Sequence, residues 1–358
     1  MAETPAAQRR IRVLVVDDSA FNRQTIAQIL ETDPQIEVVG RAADGEEALA
    51  RVFQLQPDVV TLDLEMPEMD GFSFMRLVLA QRPTPIIVIS GLASRENVFR
   101  ALELGALDFV AKPSLRPSAE LRGIESELLR KIKLAAQVRV VGRSERSRQR
   151  GPASSTLPIV PLLGVGMPPE RILAIGASTG GPLAIQQLLA QLDRTLPISV
   201  VVTQHMPPKF TTTFAERLQR TTGWRVDEAK GGETLVSGQV FVAPGGFSLA
   251  LRRQNDLVVT DVVPAAPDDL FIPSVDRMFT TAASAVGERL VALVLTGMGT
   301  DGARGARAVH AAGGKVVAES QESAVVFGMP QEVIDTGLVD EVLSLSQMPE
   351  ALARLLRG

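Results

Sequence analysis

Ser178, His205 and Asp301 are the residues of this chain whose types and settings suit acyl transfer. Ser178 lies in RILAIGASTGG (residues 171–181), where an apolar run ends in Gly176-Ala177-Ser178-Thr179-Gly180 before the helical pattern GPLAIQQLLAQL. That pentapeptide fits G-x-S-x-G, a sharp strand-to-helix turn that lifts a serine hydroxyl clear of a sheet. By itself such a turn also suits a bound phosphate, or merely closes a loop. A hydroxyl nucleophile needs a base that titrates near neutrality, and the chain has 2 histidines and no cysteine. His205, in TQHMPP, follows the apolar run of residues 198–202 and is expected past a strand's carboxyl end. His310, inside the helical pattern ARAVHAAGG, reads instead as a packed or solvated side chain. Asp301 follows LVALVLTGMGT, a third apolar run with a glycine-rich end, and would orient the imidazole. It also suits a helix N-cap before GARGARAV. The backbone around Met298 would supply N–H groups for an oxyanion.

A second set is acidic. Asp17 and Asp18, Asp63, Ser90 and Lys112 each end or follow an apolar run in the first third of the chain. Carboxylates converging on one sheet edge repel one another unless a cation joins them, and oxygen-only ligands suit Mg²⁺. One carboxylate, Asp63, would then act as nucleophile toward a phosphoryl group, with Lys112 pairing the phosphoryl oxygens and Ser90 following the new charge. Taken one at a time, these aspartates also read as helix caps and the lysine as a solvated charge.

The elements that must position these groups alternate. IRVLVV, IEVVG, DVVTLD, PIIVIS and ALDFVAK read as five strands separated by helical patterns, which predicts a doubly wound, five-stranded parallel sheet of the flavodoxin-like kind. ILAIG, ISVVVTQ, QVFVAP, LVVTDVV, LVALVLTG and GKVVAES alternate with helical runs in the same way, so a second doubly wound, mainly parallel α/β domain is expected. A β-hairpin insertion is expected near VFVAPGGFSLALRRQNDLVVTD. The boundaries read as a first domain over 1–138, a linker over 139–170 rich in Arg, Ser, Gly and Pro, and a second domain over 171–358. A basic arm for an acidic partner is the other reading of that linker. With 45% hydrophobic and 22% charged residues and a net charge of −4, the chain has the composition of a globular protein with no general pull toward nucleic acid. No signal-peptide pattern opens it and no apolar run approaches the ~20 residues that span a bilayer, so a cytoplasmic location without membrane insertion is expected.

VVDDS, LDLEMPEMDG, ISG and AKP together resemble a response-regulator receiver domain. The resemblance implies phosphorylation of Asp63 by a histidine kinase, Mg²⁺ held by Asp17, Asp18 and Asp63, and a switch formed by Ser90, Phe109 and Lys112. GASTGGP, VVTQHMPPKFT, FAERL, VFVAPGG, PSVD, LTGMGTDGA and ESAVVFGMP resemble the catalytic domain of chemotaxis protein-glutamate methylesterases, the CheB family. By that resemblance Ser178 is the nucleophile, His205 the general base and acid, Asp301 the orienting carboxylate, and the Met298 N–H the oxyanion donor. It implies hydrolysis of glutamate γ-methyl esters, and deamidation of certain glutamines, on the cytoplasmic part of methyl-accepting chemotaxis receptors. No cofactor is expected for ester hydrolysis, and the receiver domain is expected to restrain the esterase until Asp63 is phosphorylated. The chain departs from the family at Ser248, where a histidine is frequent, and at Phe271-Ile272, where a His-Arg pair is frequent. These changes imply a less polar substrate-contact surface. A receiver-gated adaptor without catalysis, and a serine hydrolase for a different ester, are the other functions compatible with the sequence.

Overall fold

In the computed structural model the chain divides into two compact units, Met1–Ser154 and Ser155–Gly358. The structure describes residues 9–91, 94–112, 119–138, 166–266 and 269–357, so the expected linker lies outside the described residues except for its last five positions.

The first unit is a parallel sheet of five strands: β1 (Ile11–Val16), β2 (Ile36–Ala42), β3 (Val59–Leu62), β4 (Ile86–Ser90) and β5 (Asp108–Ala111). Their order is β2-β1-β3-β4-β5. Between and after them run α1 (Ala20–Glu31), α2 (Gly45–Leu55), α3 (Gly71–Gln81), α4 (Arg95–Leu104) and α5 (Ala119–Ala135). β4 is buried at every position, as a strand covered on both faces by crossover helices must be. Local signals start the helices. Asp44 accepts from the Glu47 N–H at 2.8 Å to open α2, and Asp70 accepts from the Ser73 N–H at 2.7 Å to open α3. The chain reverses direction across the sheet between β1 and β3, and a doubly wound sheet has its functional crevice there.

The second unit has a seven-stranded sheet: β6 (Arg171–Ala177), β7 (Ile198–Gln204), β8 (Arg225–Glu228), β9 (Gln239–Val242), β12 (Leu290–Val294), β13 (Lys315–Glu319) and β14 (Glu341–Leu343). The order is β14-β13-β12-β6-β7-β9-β8, with every pairing parallel. The hairpin insertion is a separate antiparallel pair, β10 (Ser248–Gln254) and β11 (Leu257–Val263). The helices are α6 (Gly181–Gln191), α7 (Phe210–Thr222), α8 (Val275–Val286), α9 (Ala303–Ala311), α10 (Met329–Ile334) and α11 (Met348–Arg357). β6 and β7 are apolar almost throughout, and the core built on them includes Phe241, Met278 and Phe279. From β6 the chain winds outward through β7, then returns to lay β12 on the other side of β6. The switch point therefore falls at the carboxyl ends of β12, β6 and β7.

Candidate functional site

Ser178 is the first residue beyond β6, and strand register decides what lies beside it. Ala177 pairs with Gln204 of β7 and Gly176 pairs with Val294 of β12. The Ser178 N–H then donates to Thr296 O at 3.0 Å, and the His205 N–H donates to Ala177 O at 3.0 Å. The serine is thus tied on one side to the loop after β12 and, through its preceding residue, to the histidine after β7. The turn into α6 requires a left-handed residue, supplied by Gly180 at φ +81°. Gln204 fixes the turn from below: its Nε2 donates to Ser178 O at 2.8 Å, and the Gly181 N–H donates to the same oxygen at 2.8 Å. Ser178 is 2% exposed.

His205 Nε2 lies 2.8 Å from Asp301 Oδ2. Burial alone would raise the Asp301 pKa, but the hydrogen bond and charge of His205 and the amides of Asp276 and Val275 reverse this and hold it low. The carboxylate is therefore ionised and only accepts, so Nε2 carries the proton of the neutral imidazole and Nδ1 keeps the lone pair. That Nδ1 is buried and has no hydrogen-bond partner.

Asp301 does not cap the helix that follows it, as one reading of the sequence had it. The N-cap of α9 is Gly302, and the Asp301 carboxylate turns to α8. Oδ2 accepts from the Val275 N–H at 2.7 Å, while Oδ1 accepts from the Asp276 N–H at 2.8 Å and the Ser274 hydroxyl at 3.3 Å. Asp276, in the first turn of α8, returns the arrangement: its Oδ1 accepts from the Gly302 N–H at 2.9 Å and the Gly305 N–H at 2.7 Å, at the start of α9. Each helix begins on the other's carboxylate. Burial, with the nearby Asp301 charge, raises the Asp276 pKa despite these bonds.

The loop after β12 is fixed from three directions. The Thr296 N–H donates to Glu319 Oε2 at 2.7 Å, its hydroxyl donates to Thr179 O at 2.9 Å, and the Gly297 N–H donates to Val326 O at 3.0 Å. A Cβ on Gly297 would stand 2.4 Å from Met329 Sδ and 2.8 Å from Ser178 Cβ, so only glycine lets this loop approach the serine. The Met298 N–H, next along the loop, donates to no acceptor among the described residues. Glu319 is 1% exposed, and burial raises its pKa although the Thr296 amide and the Ser323 hydroxyl bind it.

In the first unit Asp17, Asp18 and Asp63 each bring a carboxylate oxygen to within 4.8 Å of the others. Lys112 Nζ lies 2.5 Å from Asp63 Oδ2 and 3.0 Å from Asp17 Oδ2. Burial raises the Asp63 pKa, aided by Asp17 and opposed by Lys112. Asp17 Oδ2 is buried, and the positive group it faces is the Lys112 ammonium. Ser90 ends β4 at 2% exposure, its carbonyl accepting the Lys112 N–H at 2.8 Å, and Phe109 is buried in β5.

His310 is exposed on α9, away from these groups. Ser248 is fully buried and its hydroxyl accepts from the Ser274 N–H at 3.2 Å, so it holds the hairpin to the start of α8 instead of facing a substrate. Ile272 is exposed, and Phe271 stacks on His205. Sequence reasoning passed over Gln204, Thr296, Glu319 and Asp276. Gln204, a buried amide closing the strand just before His205, carried a signal; the other three read as ordinary strand-end or helix-surface residues.

Family comparison matches residues 173–352 to the CheB methylesterase model and residues 13–122 to the response regulator receiver domain model. The chain is 45% identical over 355 residues to protein-glutamate methylesterase/protein-glutamine glutaminase 3 of Geobacter sulfurreducens, covering 95% of this chain and 96% of that protein. It is 46% identical over 347 residues to the corresponding protein 1 of Myxococcus xanthus, covering 97% of each. Among solved structures, the catalytic domain of the Thermotoga maritima CheB methylesterase is 41% identical with a TM-score of 0.50, spanning 52% of this chain and 97% of that one. No helix among the described residues is long and apolar enough to cross a membrane.

Proposed function

The chain belongs to the CheB family of receiver-linked protein-glutamate methylesterases/protein-glutamine glutaminases, and from that premise we propose how its own residues divide the work. It is a carboxylic ester hydrolase under the control of a receiver domain. Ser178 attacks the carbonyl carbon of a glutamate γ-methyl ester as its hydroxyl proton passes to His205 Nδ1. The tetrahedral oxyanion takes the Met298 N–H, methanol leaves with the proton from Nδ1, and water, deprotonated by the same nitrogen, hydrolyses the acyl-serine. A glutamine amide follows the same course with ammonia leaving. The observation that supports this reading is the His205–Asp301 bond of 2.8 Å, which gives the Nε2 proton an acceptor and leaves the buried Nδ1 without a partner, able to accept one. In apo sites the nucleophile–base bond is commonly unformed until substrate binds.

The substrate is the cytoplasmic part of methyl-accepting chemoreceptors, and the phosphodonor is a histidine kinase. Asp63 accepts the phosphoryl group, Lys112 pairs with its oxygens, and Ser90 and Phe109 respond to the added charge. Asp17, Asp18 and Asp63 would hold Mg²⁺, a role supported by three carboxylate oxygens within 4.8 Å. When bound, the ion neutralises charge on the transferring phosphoryl group. The test is methanol release from methylated receptor by wild type, Ser178→Ala and Asp63→Asn, each with and without a small acyl phosphate donor. Wild type releases methanol and is stimulated by the donor, Asp63→Asn keeps only the basal rate, and Ser178→Ala releases none. Methanol release by Ser178→Ala at the wild-type rate would refute the assignment.

A further inference from the structure

The Asp301 bond fixes one nitrogen of the His205 ring but leaves the ring free to roll about that contact. Nδ1 makes no hydrogen bond to stop it. A second constraint comes from an aromatic face. The Phe271 ring is parallel to the imidazole within 1°, with centroids 4.7 Å apart, an offset-stacked arrangement.

Phe271 is itself held. Asp269, two residues before it, has a buried side chain bridged to Arg277 of α8, with Nε–Oδ2 at 3.2 Å and Nη2–Oδ1 at 3.3 Å. Ser274, three residues after it, caps α8 and donates to Asp301. The ring tip presses on Gly299, where an added Cβ would stand 2.6 Å from Phe271 Cζ. The aromatic plane is therefore built into the same framework that carries Asp301 and the loop after β12.

We propose that Phe271 is a positioning residue for hydrolysis: its face sets the roll of the His205 imidazole, so that Nδ1 can accept from the Ser178 hydroxyl when substrate is bound while Nε2 stays on Asp301. The inference rests on the assignment of His205 as the base. It departs from reading this position as part of a substrate-contact surface. Polar recognition of the receptor would act through binding, whereas ring alignment acts on the chemical step with any ester.

The test compares full-length wild type, Phe271→Leu and Phe271→His on methylated receptor and on a small nitrophenyl ester that makes no receptor contacts, with Ser178→Ala as the baseline. Leucine keeps apolar bulk without a planar face. Histidine restores a planar face without lengthening the ring toward Gly299, and at pH 8 an ordinary imidazole is neutral. Stacking of this kind corresponds to about 3- to 10-fold in rate. Phe271→Leu is expected to lower kcat by that factor on both substrates with KM unchanged, and Phe271→His to recover most of it. A loss confined to KM or to the receptor substrate, a histidine variant as slow as leucine, or a leucine variant with wild-type kcat would each overturn the proposal. Ser178→Ala separates the two levels. If its rate on both substrates equals wild type, the catalytic assignment itself fails; if it is inactive and Phe271→Leu is not impaired, only the positioning role fails.

Discussion

Asp301→Asn isolates the charge of the orienting carboxylate with almost no change in volume. In the native site both carboxylate oxygens face N–H donors: Oδ2 takes His205 Nε2 and the Val275 amide, and Oδ1 takes the Asp276 amide with the Ser274 hydroxyl. An asparagine has one acceptor oxygen, so its NH₂ must face one backbone N–H that cannot turn away. A buried amide donor left unpaired costs about 1–3 kcal/mol, and the melting temperature should fall accordingly. If the NH₂ takes the Oδ2 place, it donates to Nε2 and drives the imidazole to the other tautomer. Nδ1 then carries a proton and cannot accept one from Ser178. Enforcing the wrong tautomer in a serine triad lowers kcat by about 10⁴-fold, as in trypsin. If the NH₂ takes the Oδ1 place, the tautomer survives but the imidazolium formed in the transition state loses its counter-charge. Either way, methanol release from methylated receptor should fall by about 10³- to 10⁴-fold. Asp301→Asn turning over within tenfold of wild type, with an unchanged melting temperature, would refute this account of the site.

Two other substitutions probe the support of Ser178. Gly297→Ala should slow methanol release at least about tenfold and destabilise the chain by about 1–3 kcal/mol, because the new methyl overlaps Met329 Sδ and the Ser178 Cβ; normal rate and melting would contradict the close approach. Glu319→Gln should raise the melting temperature at pH 7. The folded pKa of Glu319 is raised, so its contribution to stability is present below the ordinary glutamate range and is lost as pH climbs through the folded value. Glutamine keeps both partners, accepting from the Thr296 N–H and donating to the Ser323 hydroxyl, without that loss. Melting curves of the two proteins should converge below about pH 4 and separate above it; parallel curves would speak against a buried charge.

The alternation of apolar runs and helical patterns made the fold class legible, because parallel strands covered on both faces are continuous and apolar, as in ISVVVTQ. β8 and β14 were not legible. Arg225–Glu228 and Glu341–Leu343 are short edge strands with charged residues, and nothing local separates them from loops. Ser178, His205 and Asp301 stood out as chemically capable residues after apolar runs, but their adjacency depends on β6 lying between β12 and β7, which no local pattern encodes. The direction in which Asp301 turns is also a tertiary fact. Its sequence neighbours suggest a cap for α9, whereas α8 offers better-placed amides and His205 lies on that side. Phe271 read as a lost polar contact because stacking on a residue sixty-six positions earlier leaves no trace in spacing.

The exchange of acids between α8 and α9 has a consequence for anyone recombining this domain with a relative. A crossover placed between the two helices separates Asp276 from the amides of Gly302 and Gly305, and Asp301 from those of Val275 and Asp276. A chimera joined there inherits two helix starts from different parents, and any mismatch in how they approach reaches the imidazole at once. Segments 269–305 must therefore travel as one cassette.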